Sequence, residues 1–170
     1  PGYPIRCPAC PRSLSPAAKM QLQIILESLL KAGIIRPSDS QWAFPVVMVP
    51  KPGGEMRFCI DFRKLNEVTL DSSYKLPRAE DIFARLSGKK YFSSMDLKTA
   101  FWQLPLAEES KCKTAFPTHM GTFEWNRLPM GAKCSSQAWQ EVMDQAFAEF
   151  STDEVNVFLD DVLLSSDTYE

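Results

Sequence analysis

Two adjacent aspartates, Asp160 and Asp161, separate the apolar runs Val155-Asn156-Val157-Phe158-Leu159 and Val162-Leu163-Leu164, and this arrangement constrains the fold of the 170-residue chain more than any other feature. Each run reads as a strand, so the pair reads as a β-hairpin with Asp160-Asp161 at its turn. A two-residue turn selects Asn-Gly, Asp-Gly or Gly-X, because its central residues need positive φ, and Asp-Asp is a poor choice. Neighbouring carboxylates also repel each other, and partial burial raises the cost of keeping both ionised. A divalent cation answers the conflict, since Mg²⁺ takes hard oxygen ligands and binds one or two carboxylates together with substrate phosphates.

A third carboxylate is then expected close by. Tyr91-Phe92-Ser93-Ser94-Met95 reads as a strand that ends at Asp96 and is short enough to pair beside the hairpin. Three carboxylates on neighbouring strands can hold two ions about 4 Å apart, which activates an attacking hydroxyl and stabilises a leaving oxygen in phosphoryl transfer. That is polymerase or nuclease chemistry. Taken singly, the same residues have plainer readings: Asp96 before Leu97-Lys98-Thr99-Ala100 as a helix cap, and Asp160-Asp161 as an acidic turn.

The remaining pattern mixes helices with antiparallel hairpins, an α+β chain. Residues 1–13 are rich in proline and read as an extended tail. Ser15 offers a cap, Pro16 suits the first helical position, and Leu22, Ile25, Leu26 and Leu29 recur at helical spacing until Gly33 and Pro37. Val46 to Val49 and Arg57 to Phe62 flank a glycine-containing tip and predict a hairpin. A short helix is predicted from Pro77 to Leu86, a second hairpin from Thr114–Phe116 and Thr122–Leu128 around His119-Met120-Gly121, and then a helix with Trp139, Val142, Met143, Ala146, Phe147 and Phe150 on one face.

Apolar residues at 45% and charged residues at 24% suit a globular core, and the length allows one compact domain or two subdomains that share a core. A net charge of −2 and a pI near 5.5 run against a protein that grips nucleic acid over a long footprint, unless cations gather in one groove or a basic subdomain lies elsewhere. No run of about eighteen apolar residues is present, so no membrane partner is expected and the chain reads as intracellular. Five cysteines at irregular spacing read as reduced thiols, and Cys7-Pro8-Ala9-Cys10 has half of a zinc spacing without a second pair.

Six further words, in order, resemble the reverse transcriptases of gypsy-like long-terminal-repeat retrotransposons and retroviruses. They are Leu30-Lys31-Ala32-Gly33-Ile34-Ile35-Arg36-Pro37-Ser38; Val49-Pro50-Lys51-Pro52-Gly53 with Arg57-Phe58-Cys59-Ile60-Asp61-Phe62-Arg63-Lys64-Leu65-Asn66; Tyr74-Lys75-Leu76-Pro77; Phe92 to Phe101; Leu128-Pro129-Met130-Gly131; and Phe158-Leu159-Asp160-Asp161. The resemblance implies a right-hand polymerase, with fingers mainly in residues 14–90 and a palm, a small antiparallel sheet backed by helices, mainly in 91–170. It implies Asp96, Asp160 and Asp161 as catalytic residues and, with Leu97, as ligands of two Mg²⁺ ions, with Mn²⁺ as a substitute. Lys51, Arg57, Leu97, Phe101, Met130 and Gly131 would bind the nucleotide, with Phe101 excluding a 2′-hydroxyl. Arg63, Asn66 and Pro129 would lie near the template. The implied partners are an RNA or DNA template with its primer and deoxynucleoside triphosphates, in the cytoplasm, in virus-like particles or in the nucleus.

Phe158 stands where the resembled family has Tyr, Met130 where relatives carry Gln or Phe, and Cys134-Ser135-Ser136 where a small-residue and proline stretch is usual. The chain reaches Glu170 without the later palm, thumb, connection or ribonuclease H segments that relatives carry, which fits its acidic balance. Two other functions compete: a non-catalytic nucleic-acid-binding or scaffold domain of the same descent, and a metal-dependent nuclease of another fold. Clustered carboxylates repel phosphate and argue against the first, while Phe101 and the fingers hairpin go unexplained by the second.

Overall fold

A computed structural model of the chain describes residues 14–169 apart from Glu55, together with Ile5. The Cys7/Cys10 pair and most of the expected tail lie outside the described residues. By packing, the chain forms two compact units that interleave in sequence: Pro1–Leu70 with Trp102–Lys133, and Asp71–Phe101 with Cys134–Glu170. The fingers and palm ranges of 14–90 and 91–170 follow chain order, whereas these units exchange segments at residues 70, 101 and 133.

The first unit is organised by helix α1, Pro16–Lys31. Ser15 caps it by accepting from the Ala18 N–H at 3.2 Å, and Gly33, at φ 67°, ends it in the left-handed conformation that lets the Ile34 N–H reach the Leu29 carbonyl at 3.0 Å. The buried stripe of α1 is Ala18, Leu22, Leu26 and Leu29. Its three leucines join Ile35, Phe44, Val46, Ile60, Phe62, Phe116, Phe123 and Trp125 in one core. Fully burying a Leu or Phe side chain stabilises by about 1.5–3 kcal/mol, so these residues dominate the unit's stability.

Strands β1 (Ile35–Pro37), β5 (Phe116–Thr118) and β6 (Gly121–Trp125) form an antiparallel sheet in the order β1-β6-β5. Strand β1, unmarked in the sequence reading, is held partly by the Arg36 guanidinium, whose Nε donates to the buried Glu124 carboxylate at 2.7 Å across the register Arg36↔Glu124. Strands β2 (Val46–Pro50) and β3 (Met56–Ile60) form the expected hairpin, with Val49 opposite Arg57 and glycines 53 and 54 at positive φ in its tip. Helix α2, Arg63–Val68, follows, and a short helix α4 occupies Glu108–Lys111. The second hairpin starts later than predicted. Thr114 lies in a 3-10 turn, where its hydroxyl donates to the Lys111 carbonyl at 2.6 Å and accepts from the Trp125 N–H at 3.0 Å, so strand pairing begins at Phe116.

In the second unit, helix α3 (Ala79–Leu86) leads to strand β4 (Tyr91–Asp96). Helix α5 (Ser135–Ala146) then leads to strands β7 (Val155–Phe158) and β8 (Asp161–Ser166), giving an antiparallel sheet in the order β4-β8-β7. The buried face of α5 differs from the apolar pattern. Trp139, Gln140 and Met143 are buried while Val142 is exposed, and the helix ends at Ala146, before Phe147 and the exposed Phe150; the buried Gln140 amide bonds to Val157 and Leu159. Among the described residues no helix is long and apolar enough to cross a membrane.

Candidate active site

The carboxylates gather at one end of the β4-β8-β7 sheet. Asp96 closes β4 and pairs directly with Asp161, the first residue of β8, which in turn pairs with Phe158 on β7. Directly opposed residues of an antiparallel pair project from the same face with Cβ atoms about 4.5–5.5 Å apart. The Leu97 N–H donates to the Asp160 carbonyl at 2.8 Å and carries the pairing one step beyond the strands. Asp96 is therefore the end of a strand and not the cap of a helix. The backbone that follows passes through Thr99 at φ 54° into a 3-10 turn, Ala100–Gln103.

The register corrects the sequence reading of the turn. Phe158 pairs with Asp161, so the two tip residues are Leu159 and Asp160 rather than Asp160 and Asp161. Leu159 takes φ 55°, the sign pattern of a type II′ turn, in which the first central residue is usually Gly. A left-handed conformation costs a leucine roughly 1–2 kcal/mol. Both of its backbone polar groups are held by α5: the Leu159 N–H donates to Gln140 Oε1 at 2.7 Å, and Trp139 Nε1 donates to the Leu159 carbonyl at 2.9 Å. At about 0.5–1.5 kcal/mol net for each bond, the pair offsets the strain.

Among the described residues the Asp96, Asp160 and Asp161 side chains have no hydrogen-bond or ion-pair partner. Asp96 and Asp161 are exposed and Asp160 is half-buried. Among the same residues no three carboxylate, histidine or cysteine side chains converge closely enough to enclose an ion as they stand. The backbone register nevertheless brings three hard-oxygen donors, with like charges opposed, to one sheet end, and the exposed Asp96 and Asp161 side chains can rotate. That donor set fits a hard divalent cation such as Mg²⁺. Phe101 lies half-buried in the 3-10 turn, with its ring 6.2 Å from the Trp139 ring.

The first unit holds a second group. Lys51, Arg57, Met130 and Gly131, all expected at the nucleotide, line one cavity of about 880 Å³. Lys51 and Arg57 are exposed and form no ion pair among the described residues. Gly131 takes φ 89°, a conformation that disfavours any side chain. Asn66 donates to the Gly131 carbonyl at 2.9 Å and accepts from the Lys133 N–H at 2.8 Å, so its amide fixes the turn that presents Met130 and Gly131. Arg63 donates from Nε and Nη2 to both oxygens of Asp61, at 2.8 and 2.6 Å. Pro129 is fully buried and shapes the turn from within.

Several residues escaped the sequence reading. The cavity is also lined by Gln21, Ile24 and Ile25 of α1 and by Trp102 and Trp125. The available signal was the exposed Ile24, an apolar residue set away from the buried stripe. Trp139 and Gln140 carried no such signal, since their role depends on a tertiary contact.

Comparison with known proteins agrees with this architecture. Residues 49–170 match the family model described as reverse transcriptase (RNA-dependent DNA polymerase). The chain is 35% identical over 98% of its length to the retrovirus-related Pol polyprotein from transposon opus of Drosophila melanogaster, of which it covers 17%. It is 38% identical over 84% of its length to that of transposon gypsy from the same fly, covering 14% of it. It is also 34% identical over 94% of its length to the enzymatic polyprotein of cauliflower mosaic virus, covering 24% of that protein. The prototype foamy virus protease-reverse transcriptase superposes with a TM-score of 0.88 at 32% identity, over 98% of this chain and 22% of the viral one. The chain belongs to the reverse transcriptase family, in its gypsy-like branch, and spans less than a quarter of these polyproteins.

Proposed function

We propose that the chain carries the catalytic carboxylates of an RNA- or DNA-templated DNA polymerase, which adds deoxynucleotides to a primer 3′-hydroxyl and releases pyrophosphate. The observation that carries this reading is the set of carboxylates without partners among the described residues, with Asp96 and Asp161 directly opposed and Asp160 in the adjoining turn. Opposed like charges weaken a sheet, so their presence here argues for a positive ligand. A foamy virus relative is described in complex with an RNA/DNA hybrid, at a TM-score of 0.86 and 26% identity, which supports nucleic-acid partners.

Asp96, Asp160, Asp161 and the Leu97 main-chain carbonyl would hold two Mg²⁺ ions, or Mn²⁺ in their place. When bound, such ions lower the pKa of the attacking hydroxyl and stabilise the leaving oxygen. The chain's own groups do the rest. Lys51 and Arg57 take the triphosphate, where charge-assisted hydrogen bonds to phosphate strengthen as negative charge shifts toward the leaving pyrophosphate. Gly131 and Met130 give the nucleotide a close backbone surface, and Asn66 holds that surface in place. Arg63, turned outward and charged, meets the template backbone, and the buried Pro129 sets the turn beside it. The Phe101 ring sits against the sugar and leaves no room for a 2′-hydroxyl. The same reading places this work inside the cell, in cytoplasm, particle or nucleus.

A labelled primer on an RNA template, incubated with Mg²⁺ and deoxynucleotides, tests the reaction class. Longer products that disappear when the metal is chelated are expected. Shortened primer without extension would replace the polymerase by a nuclease.

A further inference from the structure

Leu159 and Thr99 are the non-glycine residues of the described chain with positive φ, and Leu159 stands immediately before the two aspartates of the hairpin. A turn built on glycine would adopt this conformation without strain. Here the conformation is held from outside, by consecutive residues of one helix. Gln140 takes the Leu159 N–H and Trp139 supplies a donor to the Leu159 carbonyl.

Neither holding group can swing away easily. Gln140 is fully buried, and its Nε2 donates both to the Val157 carbonyl at 3.0 Å and to Asp144 Oδ1 at 2.8 Å, which fixes the orientation of the amide. Asp144 in turn accepts a hydrogen bond from the Tyr74 hydroxyl. The Trp139 side chain is 3% exposed. On the other side of the tip, the Leu97 N–H holds the Asp160 carbonyl. If Leu159 relaxed to an extended φ, the Asp160 peptide would rotate and both carboxylates would be aimed elsewhere.

We infer that Trp139 and Gln140 are positioning residues, which lock the strained turn at Leu159 and thereby aim Asp160 and Asp161 at their cations. The inference rests on the polymerase reading above. It assigns to the indole N–H and the buried amide a role in metal affinity, separate from their packing in the second unit.

The test compares the parent chain with Trp139→Phe, which keeps the ring and removes the donor, with Gln140→Leu, and with Trp139→Phe combined with Leu159→Gly. Two readouts besides nucleotide addition are needed: amide hydrogen exchange at Leu159 without metal, and Mn²⁺ affinity followed by electron paramagnetic resonance. Trp139→Phe is expected to speed exchange at Leu159 and to weaken Mn²⁺ binding by about 10-fold, the lower range seen when groups that orient metal ligands are removed. The Mg²⁺ concentration for half-maximal extension should rise in parallel. Added Leu159→Gly should recover part of the Mn²⁺ affinity, because glycine accepts positive φ without strain, whereas a packing defect would not be rescued.

Mn²⁺ binding as tight in Trp139→Phe and Gln140→Leu as in the parent would overturn the inference and leave the polymerase reading intact. Should Gln140→Leu not fold, Trp139→Phe decides. A parent chain that protects the Leu159 amide but neither binds Mn²⁺ nor extends a primer would overturn the polymerase reading, and the positioning role with it.

Discussion

Asp96 and Asp161 sit opposite each other on β4 and β8 with no counter-charge among the described residues, so each weakens the sheet that carries it. Asp161→Asn is therefore expected to raise the thermal midpoint slightly at low salt, while nucleotide addition falls by roughly 10²-fold or more. Calorimetry and primer extension on the same preparation check the pair of outcomes, and a variant both less stable and inactive would argue for a structural role. Phe101 carries a second expectation. Its ring is half-buried beside Trp139, so Phe101→Ala opens space without removing a charge. Ribonucleotide use should rise about 10-fold or more relative to deoxynucleotide use, read as the ratio of kcat/KM values. An unchanged ratio would return Phe101 to a packing role.

The Tyr74 hydroxyl ties the segment before α3 to α5 through Asp144, and the same aspartate holds Gln140. The hydrogen bond to Asp144, helped by burial and by the negative charge of the carboxylate, pushes the Tyr74 phenol up to about 12. A raised value means that the folded chain keeps the proton longer than the unfolded one. The contribution is present in full below the ordinary value of 10.0 and is lost as pH rises through about 12. Tyr74→Phe is expected to cost about 1 kcal/mol at neutral pH, and the gap in thermal midpoint between parent and variant should close between pH 10 and 12. A gap that stays constant across that window would contradict the assignment. At this scale the sequence was partly legible. Helix α1 announced itself through Ser15, Pro16, the leucine spacing and Gly33, all local signals that the structure keeps. The turn before β8 did not, because its register was shifted by one residue and its strain is held by Gln140, a polar residue inside an apolar pattern. Thr114 misled for a similar reason, as its hydroxyl makes bonds that a strand reading ignores.

Across the whole molecule, family and fold were readable because the matching words fall in order along one chain and each word has a physical use. The interleaving of the two packing units was not readable, since segments such as Trp102–Lys133 return to the first core by long-range contacts that no local pattern encodes. The carboxylates belong to one unit and the cavity with Lys51 and Arg57 to the other. The acidic net charge of −2 also makes weak binding of nucleic acid expected for this stretch, with affinity falling further as salt rises. The central claim is that Asp96, Asp160 and Asp161 serve nucleotide transfer. The most direct measurement is single-nucleotide extension of a labelled DNA primer on an RNA template with Mg²⁺, at low salt. It compares the parent with Asp160→Asn, each also joined to the remaining polymerase domains of a gypsy-like relative. Extension by the parent, confined to deoxynucleotides and lost in Asp160→Asn, is the expected result. No extension by the parent in either form, or equal extension by parent and variant, would contradict the account.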